Sequence, residues 1–376
     1  MDKKSAIVVG AGIVGLATAR ALAKKGFAVK VFERSERATG ASIRNFGMIW
    51  PIGQPAGKLY QRAIRSREIW KETAAAAGIW YDPVGSLHLA YYADEWTVLQ
   101  ELHAAFCKEG RPVELLNPEE IRQRSEAVVP DNLRGGLFSN DEIIVDPREA
   151  IASLPAYLTE RLGVTFYWGK CVSYISDQTV YIGNAEEYEA DLVFICSGAD
   201  FETLYPEQFE EQALTKCKLQ MMRLVGQPDQ WRIGPALCGG LSLIHYTSFK
   251  AAPSLTLLKN RYQEEMAAFL EWGIHVMVSQ NEKGELTIGD SHEYGLTHDP
   301  FDKECINRMI LDYLKGFARF RDWRLKESWN GIYPKLTDGE TDLFSSPEPF
   351  VYIINGVGGA GMTLSFGLAE ELVESL

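Results

Sequence analysis

Gly10, Gly12 and Gly15 stand in the spacing G-x-G-x-x-G, after the apolar run 6–9 and before a helix-forming stretch, and Glu33 closes the next apolar run eighteen residues beyond Gly15. In this setting the residue types suit a dinucleotide. Gly10 permits a tight turn, Gly12 lets the backbone approach a pyrophosphate, and Gly15 lets helix and strand pack closely. The helix start that follows offers unpaired N–H groups and its positive end to the phosphates. Glu33, beside Arg34, would accept hydrogen bonds from ribose hydroxyls and repel a 2′-phosphate. With 33 glycines in 376 residues, a glycine turn that binds nothing is the plain alternative. At this point NAD and FAD both remain open.

Two further segments favour FAD. The stretch GASIRNFGMIWP, beginning at Gly40, stays extended where a nicotinamide dehydrogenase would enter a helix at once. Near the C-terminus Gly356, Gly358, Gly359 and Gly361 lead into a helix starting at Met362. Its N-terminal dipole would stabilise negative charge on a reduced flavin.

The elements that must hold these loops read as a β-α-β unit over residues 6–33, a long amphipathic helix at 59–77, a strand at 85–92, and loops and short helices to Pro130. A helix at 147–161 follows, then strands within 164–182 turning near Asp177, and a buried strand at 191–196. Residues 216–295 alternate in polarity and include a hairpin of 275–279 and 285–289. A helix at 303–318, a strand at 350–354 and a final helix at 362–376 close the chain. The fold class is α/β (α+β): a discontinuous Rossmann-type FAD-binding domain of residues 1–80, 146–215 and 325–376, with an inserted antiparallel-sheet substrate domain of 81–145 and 216–324.

Composition narrows the partners. Lys+Arg 38 against Asp+Glu 51 gives 38 − 51 = −13, so the chain has no general attraction for nucleic acid or an anionic membrane. Any anion must meet a local positive site. Six widely spaced cysteines form no C-x-x-C pair, so no metal is expected and reduced thiols are preferred to three disulfides. No run reaches 18 apolar residues, and the five-residue run after Ser5 is too short for a signal peptide; a cytoplasmic protein is expected.

With these pieces in order, AIVVGAGIVGLATARALAKKGFAVKVFER, GASIRNFGM, ICSGAD, WNGIYPKLTDG and INGVGGAGMTLSFGLAEEL, the chain resembles the D-amino acid oxidase/glycine oxidase/sarcosine oxidase superfamily from end to end. GASIRNFGMIWPIGQ and GGLSLIHYTSF further resemble a bacterial branch of FAD-dependent oxidoreductases associated with phosphonate breakdown. The resemblance implies oxidation of a small amine, with 2-aminoethylphosphonate or its N-methyl derivative as expected substrate, by hydride transfer to flavin N5 and hydrolysis of the resulting imine. It also implies that Gly10, Ala11, Gly12, Ile13 and Val14 hold the pyrophosphate and that Glu33 and Arg34 sit at the adenosine ribose. Ser42 and Arg44 would reach phosphate or ribityl oxygens, and Asn45, Phe46, Gly47 and Met48 would run beside the flavin ring. Val172 would hold the adenine, with Ser197 and Gly198 in the strand-end motif; Gly358, Gly359, Gly361, Met362 and Thr363 would face the flavin's pyrimidine edge. Ser42 as a turn cap and Arg44 as a surface charge are the plain alternatives.

The departures from the family are as informative. Arg44 stands where some relatives carry a flavin-tethering histidine, and Gly331 where others carry a cysteine, so FAD is expected to be noncovalent. Tyr333 stands where glycine-type oxidases place a carboxylate-gripping arginine. Arg223, His245, Tyr246 and Lys250 are the candidate replacements, with Trp329 and Trp50 beside Tyr333 as a cage for the amine. His245 as a satisfied sheet residue, Lys250 as a solvated charge and the aromatics as core are the alternatives. Thr287 aligns with a lysine that favours oxygen in sarcosine-oxidising relatives, which leaves oxygen or another electron acceptor open. A glycine/sarcosine-type amino acid oxidase or dehydrogenase is the alternative enzyme, and a dinucleotide-binding module without catalysis the alternative class.

Overall fold

A computed structural model of the chain describes residues 3–183 and 186–376; Met1, Asp2, Asn184 and Ala185 of the expected cofactor half lie outside the described residues. The apolar runs that bracket the first glycine loop become Ser5–Val9 and Ala28–Glu33, joined by the helix Ile13–Lys24. They are the centre of a six-stranded sheet ordered Leu343–Glu348, Val351–Asn355, Leu192–Ile195, Ser5–Val9, Ala28–Glu33 and Thr165–Trp168. All neighbours run parallel except the first pair. Central strands buried on both faces explain the continuous runs of Val, Ile and Phe. One face packs on the helices Ile13–Lys24, Pro147–Leu162 and Gly361–Glu374, and the other on the three-stranded sheet of Val172–Ser176, Thr179–Ile182 and Glu186–Glu189. Asp177 and Gln178, both at positive φ, make the expected turn.

The second sheet has nine strands, ordered Glu293–Gly295, Leu214–Leu224, Leu286–Gly289, Met277–Gln280, Ala236–Cys238, Ser86–Ala90, Gly135–Ser139 and Val113–Leu116, with Leu325–Leu336 alongside Leu214–Leu224. It is antiparallel except where Ala236–Cys238 meets Ser86–Ala90 in parallel. Leu325–Leu336 falls within the span assigned from sequence to the cofactor half, yet it pairs from end to end with Leu214–Leu224. The register sets Gly331 opposite Leu219 and Tyr333 opposite Cys217, so this strand belongs to the second sheet. A long strand shared between halves gives no composition break to read.

The region expected to be loops and short helices before Pro130 contains a longer helix of 16 residues, Ala93–Lys108. Val98, Leu99, Leu102 and Phe106 form its buried stripe, and Asp94 and Glu95 lie in its first turn, where the helix dipole favours them. All six cysteines are free, and among the described residues no helix is long and apolar enough to cross a membrane.

Candidate active site

A cavity of about 1030 Å³ runs from the first glycine loop, past the start of the C-terminal helix, to the inner face of the nine-stranded sheet. Drug-sized pockets span about 300–1,000 Å³, so this one has room for a large cofactor and a small molecule beside it. The glycine loop is shaped by contact. Gly10 has φ of 102°, and a Cβ there would come 2.4 Å from the carbonyl oxygen of Cys196. A Cβ on Gly15 would come 1.9 Å from the carbonyl oxygen of Gly10, so Gly15 packs the helix against the turn and does not line the cavity. The first helix starts at Ile13 with no side-chain cap from its N-cap residue Gly12 and no acidic residue in its first turn. No negative charge in its own first turn therefore offsets the dipole that it presents to the cavity. These features fit the pyrophosphate of a dinucleotide.

Of the cofactor residues expected from sequence, Gly10, Gly12, Ile13, Val14, Glu33, Arg34, Ser42, Arg44, Asn45, Phe46, Met48, Val172, Ser197, Gly198, Gly331, Gly358, Gly359, Gly361, Met362 and Thr363 border the cavity. Ala11 and Gly47 do not. Ala11 is fully buried, and its N–H donates to Glu33 Oε2 at 3.0 Å, which aims the carboxylate. Gly47 lies against the carbonyl of Val145 at φ of 74°, where any side chain would collide. Ser42 Oγ accepts from the Ile13 N–H at 2.9 Å, so it caps the helix start while bordering the cavity. Arg44 donates to the carbonyl of Asn330 at 3.1 Å, and Arg34 pairs with Asp200 at 2.7 Å. Asn45 ties its own loop through the carbonyls of Ala41 and Ser42. At the far end the helix Gly361–Glu374 starts without a side-chain cap or first-turn acid, and Thr363 Oγ1 accepts from the Trp50 N–H at 2.9 Å.

His245, Tyr246, Tyr333 and Trp50 also line the cavity; Arg223, Lys250 and Trp329 do not. Strand alternation places Arg223 on the same face as Leu219 and Met221, which do line it, but the strand runs past the cavity's end. There Arg223 is buried between Glu285 at 3.3 Å and Asp146 at 3.6 Å, with Thr287 Oγ1 accepting from its Nε at 3.3 Å. Thr287 is thereby turned away from the cavity as well. Trp329 lies under the guanidinium groups of Arg148 and Arg223. Lys250 is exposed at the outer side of a turn whose Ser248 and Phe249 are buried.

Four residues absent from the sequence-based candidates join the site: His275, Asp290, His292 and Lys335. His275 Nε2 lies 3.2 Å from Asp290 Oδ1, and His292 Nε2 lies 3.7 Å from Asp290 Oδ2. The His245 ring centroid is 3.8 Å from that of His275 and 4.9 Å from that of His292. Burial, then the neighbouring histidines and Lys335, holds His245 and His275 well below the usual imidazole range. Burial likewise takes His292 down to about 4, against the opposing Gly273 carbonyl. Burial raises Asp290 well above the usual carboxyl range, opposed by its own backbone N–H. His245 keeps an exposed face on the cavity, where water weakens that depression. Tyr333 is buried opposite Cys217, and burial also pushes its hydroxyl well above the usual range. The only sequence signal for His275, Asp290 and His292 was their placement in or beside a predicted hairpin, and Lys335 stood in the piece WNGIYPKLTDG; no metal or triad spacing connects residues 245, 275 and 292.

The family model described as "FAD dependent oxidoreductase" (DAO) matches residues 5–375. A glycerol 3-phosphate dehydrogenase of Caloramator mitchellensis is 23% identical over 324 residues, covering 83% of this chain and 60% of that protein. The chain thus spans well under two thirds of that relative's length. Among solved structures, the L-proline dehydrogenase from P. horikoshii superposes with a TM-score of 0.77 at 20% identity, covering 99% of this chain and 93% of the other. The glycine oxidase from Geobacillus kaustophilus gives 0.76 at 21% identity, covering 100% and 95%. At these identities the structural likeness speaks for the fold.

Proposed function

The chain belongs to the DAO family of FAD dependent oxidoreductases, and on that footing we propose that it oxidises a small primary or N-methyl amine carrying an acidic group. An aminophosphonate such as 2-aminoethylphosphonate is the substrate this reading names, with noncovalent FAD as cofactor and oxygen or another acceptor taking the electrons. The observation that carries it is the continuity of the cavity. One space joins a dinucleotide loop, the start of the C-terminal helix and a wall bearing His245, Tyr246, Tyr333 and Lys335.

In this reading Gly10, Gly12 and the first helix take the pyrophosphate, Glu33 the ribose, and Gly358 to Thr363 the flavin's pyrimidine edge. Noncovalent binding is supported at Gly331, where an added Cβ would lie only 3.3 Å from Arg44. Held there, FAD would supply a two-electron acceptor for the carbon bearing the amine, and water would hydrolyse the imine so formed to an aldehyde and ammonia or methylamine. The chain's own residues do the positioning. Trp50 and Tyr246, with ring centroids 6.3 Å apart, form an aromatic wall, and Tyr246 is fixed by its hydroxyl donating to Met277 Sδ at 3.1 Å. Lys335 brings a positive charge to the cavity, its Nζ 3.1 Å from the Tyr294 hydroxyl. That charge supports an acidic substrate in a chain whose net charge is −13.

The test is anaerobic bleaching of the purified yellow protein, followed by steady-state rates with 2-aminoethylphosphonate, its N-methyl form, glycine, sarcosine and glycerol 3-phosphate. The expected result is greatest efficiency on an aminophosphonate. Greater efficiency on glycine or sarcosine would assign the alternative, an amino acid oxidase with a rearranged carboxylate site.

A further inference from the structure

The inner end of the cavity gathers three imidazoles and one carboxylate, two of whose buried polar atoms have no hydrogen-bond partner. His292 Nδ1 lies 2.9 Å from the carbonyl oxygen of Gly273, an acceptor only, so Nδ1 carries the proton and Nε2 of the neutral ring is bare. That bare nitrogen faces Asp290 Oδ2 at 3.7 Å, while His275 Nε2 faces Oδ1 at 3.2 Å. His275, Asp290 and His292 are all buried, and Asp290 Oδ1 and His275 Nδ1 have no hydrogen-bond partner. His245 reaches the group from a separate turn, and one ring nitrogen of each histidine lies within 4.8 Å of the others. Buried acceptors left facing each other are costly unless a proton or a cation stands between them.

We propose that His245, His275, His292 and Asp290 bind one divalent transition-metal ion of zinc's class at the inner end of the cavity. Three imidazoles and one carboxylate suit a borderline ion, whereas magnesium and calcium take oxygen ligands. Bonds of about 2.0–2.1 Å in a tetrahedral site set ligand atoms about 3.3 Å apart. The His275–Asp290 separation already meets that spacing, and side-chain rotation closes the rest. The Gly273 carbonyl is the outer partner that such sites use to orient a ligating ring. The backbones of His275 and Asp290 bond to each other in both directions, at 2.9 and 3.3 Å, which holds two ligands in place before any ion arrives. A proton on Asp290 shared with His275 would satisfy one contact and leave the bare nitrogen of His292 unmet.

The consequence for substrate rests on the amine reading above; the site itself does not. An ion paired with Asp290 carries one net positive charge, and Lys335 adds another. Two positive charges match a dianionic acid such as a phosphonate.

The experiment needs no turnover, so its failure is distinct from failure of that reading. Holoenzyme lacking a histidine tag is stripped with EDTA, mixed with zinc chloride and gel-filtered, and zinc per chain is measured. Cobalt(II) is added in parallel and read by absorption to the red of the flavin bands. One ion per chain is expected. H292A should weaken zinc by more than the ~10–100-fold that loss of an outer partner costs. H245A removes a cavity-facing ring and leaves no buried gap; it should weaken zinc at least ~10-fold with flavin content unchanged. H103A, at a half-buried histidine on Ala93–Lys108 far along the chain from the cluster, should match wild type. Wild type that retains no zinc, or equal retention in wild type, H245A and H292A, overturns the proposal and leaves Asp290 as a proton-sharing group.

Discussion

Replacing Arg223 by methionine separates a binding residue from a buried ion pair. Arg223 is 3% exposed, with Glu285 at 3.3 Å and Asp146 at 3.6 Å. Methionine fills most of the space but leaves two buried carboxylates near each other without the charge between them. Breaking one side of such a group typically costs about 3–5 kcal/mol. Glu285 keeps Lys326 and Asn281, and Asp146 keeps Asn281 and its cap on the Arg148 N–H, so the loss belongs at the lower end, ~3 kcal/mol. Burial raises the Glu285 pKa, but Lys326, Asn281 and Arg223 more than offset it and hold the group below the usual range. Its contribution is therefore present above the ordinary carboxylate pKa and is lost as pH falls through the folded value. R223M should flatten that acid limb. Urea unfolding of holoenzyme measures the stability loss, and R223M/E285M should recover most of it, because an apolar pair replaces the charged one. KM for the best amine should stay within ~2-fold of wild type. Unchanged stability with a ~10-fold rise in KM would refute this account and return Arg223 to the substrate site.

Three further outcomes follow from particular contacts. G10A should abolish flavin binding, because its Cβ meets the Cys196 carbonyl; G26A has the same φ of 102° but open space, and should lose only ~1 kcal/mol of stability while keeping flavin. Flavin content measured on both variants checks the pair, and flavin-loaded G10A would contradict it. Acid precipitation should release all flavin into the supernatant, and yellow colour left in the washed pellet would show a covalent bond. His88 is fully buried with both ring nitrogens unpartnered, and burial holds its pKa down to about 3. The unfolded chain binds its proton first as pH falls below ~6.5, so stability drops there by about 1.4 kcal/mol per pH unit per proton. H88M should make the stability slope between pH 6.5 and 4.5 shallower by about one proton's worth, and equal slopes would count against it.

Glycine spacing, runs of Val and Ile, and a terminal acid are local properties, and the first β-α-β unit follows from them almost residue by residue. The helix Ala93–Lys108 was equally local, but its stripe follows a strand with no Gly or Pro to mark the change of period. Tyr333 and Gly331 were legible as departures from a family motif, whereas the sheet that presents them was not. That sheet is built by pairing Leu325–Leu336 with Leu214–Leu224, segments about a hundred residues apart.

By itself, the amino-acid sequence determined where a dinucleotide can approach the backbone, because the absence of a Cβ is a property of one residue and its neighbours. Only the tertiary structure decided which side chains face the cavity's inner end. His245, His275, His292 and Asp290 come from a turn and from the segments just outside the strands Met277–Gln280, Leu286–Gly289 and Glu293–Gly295, and the pairing between His275 and Asp290 brings them into contact. The same packing turned Arg223 into an ion pair. A charge carries no label for its partner until the fold sets what lies within a few ångströms of it.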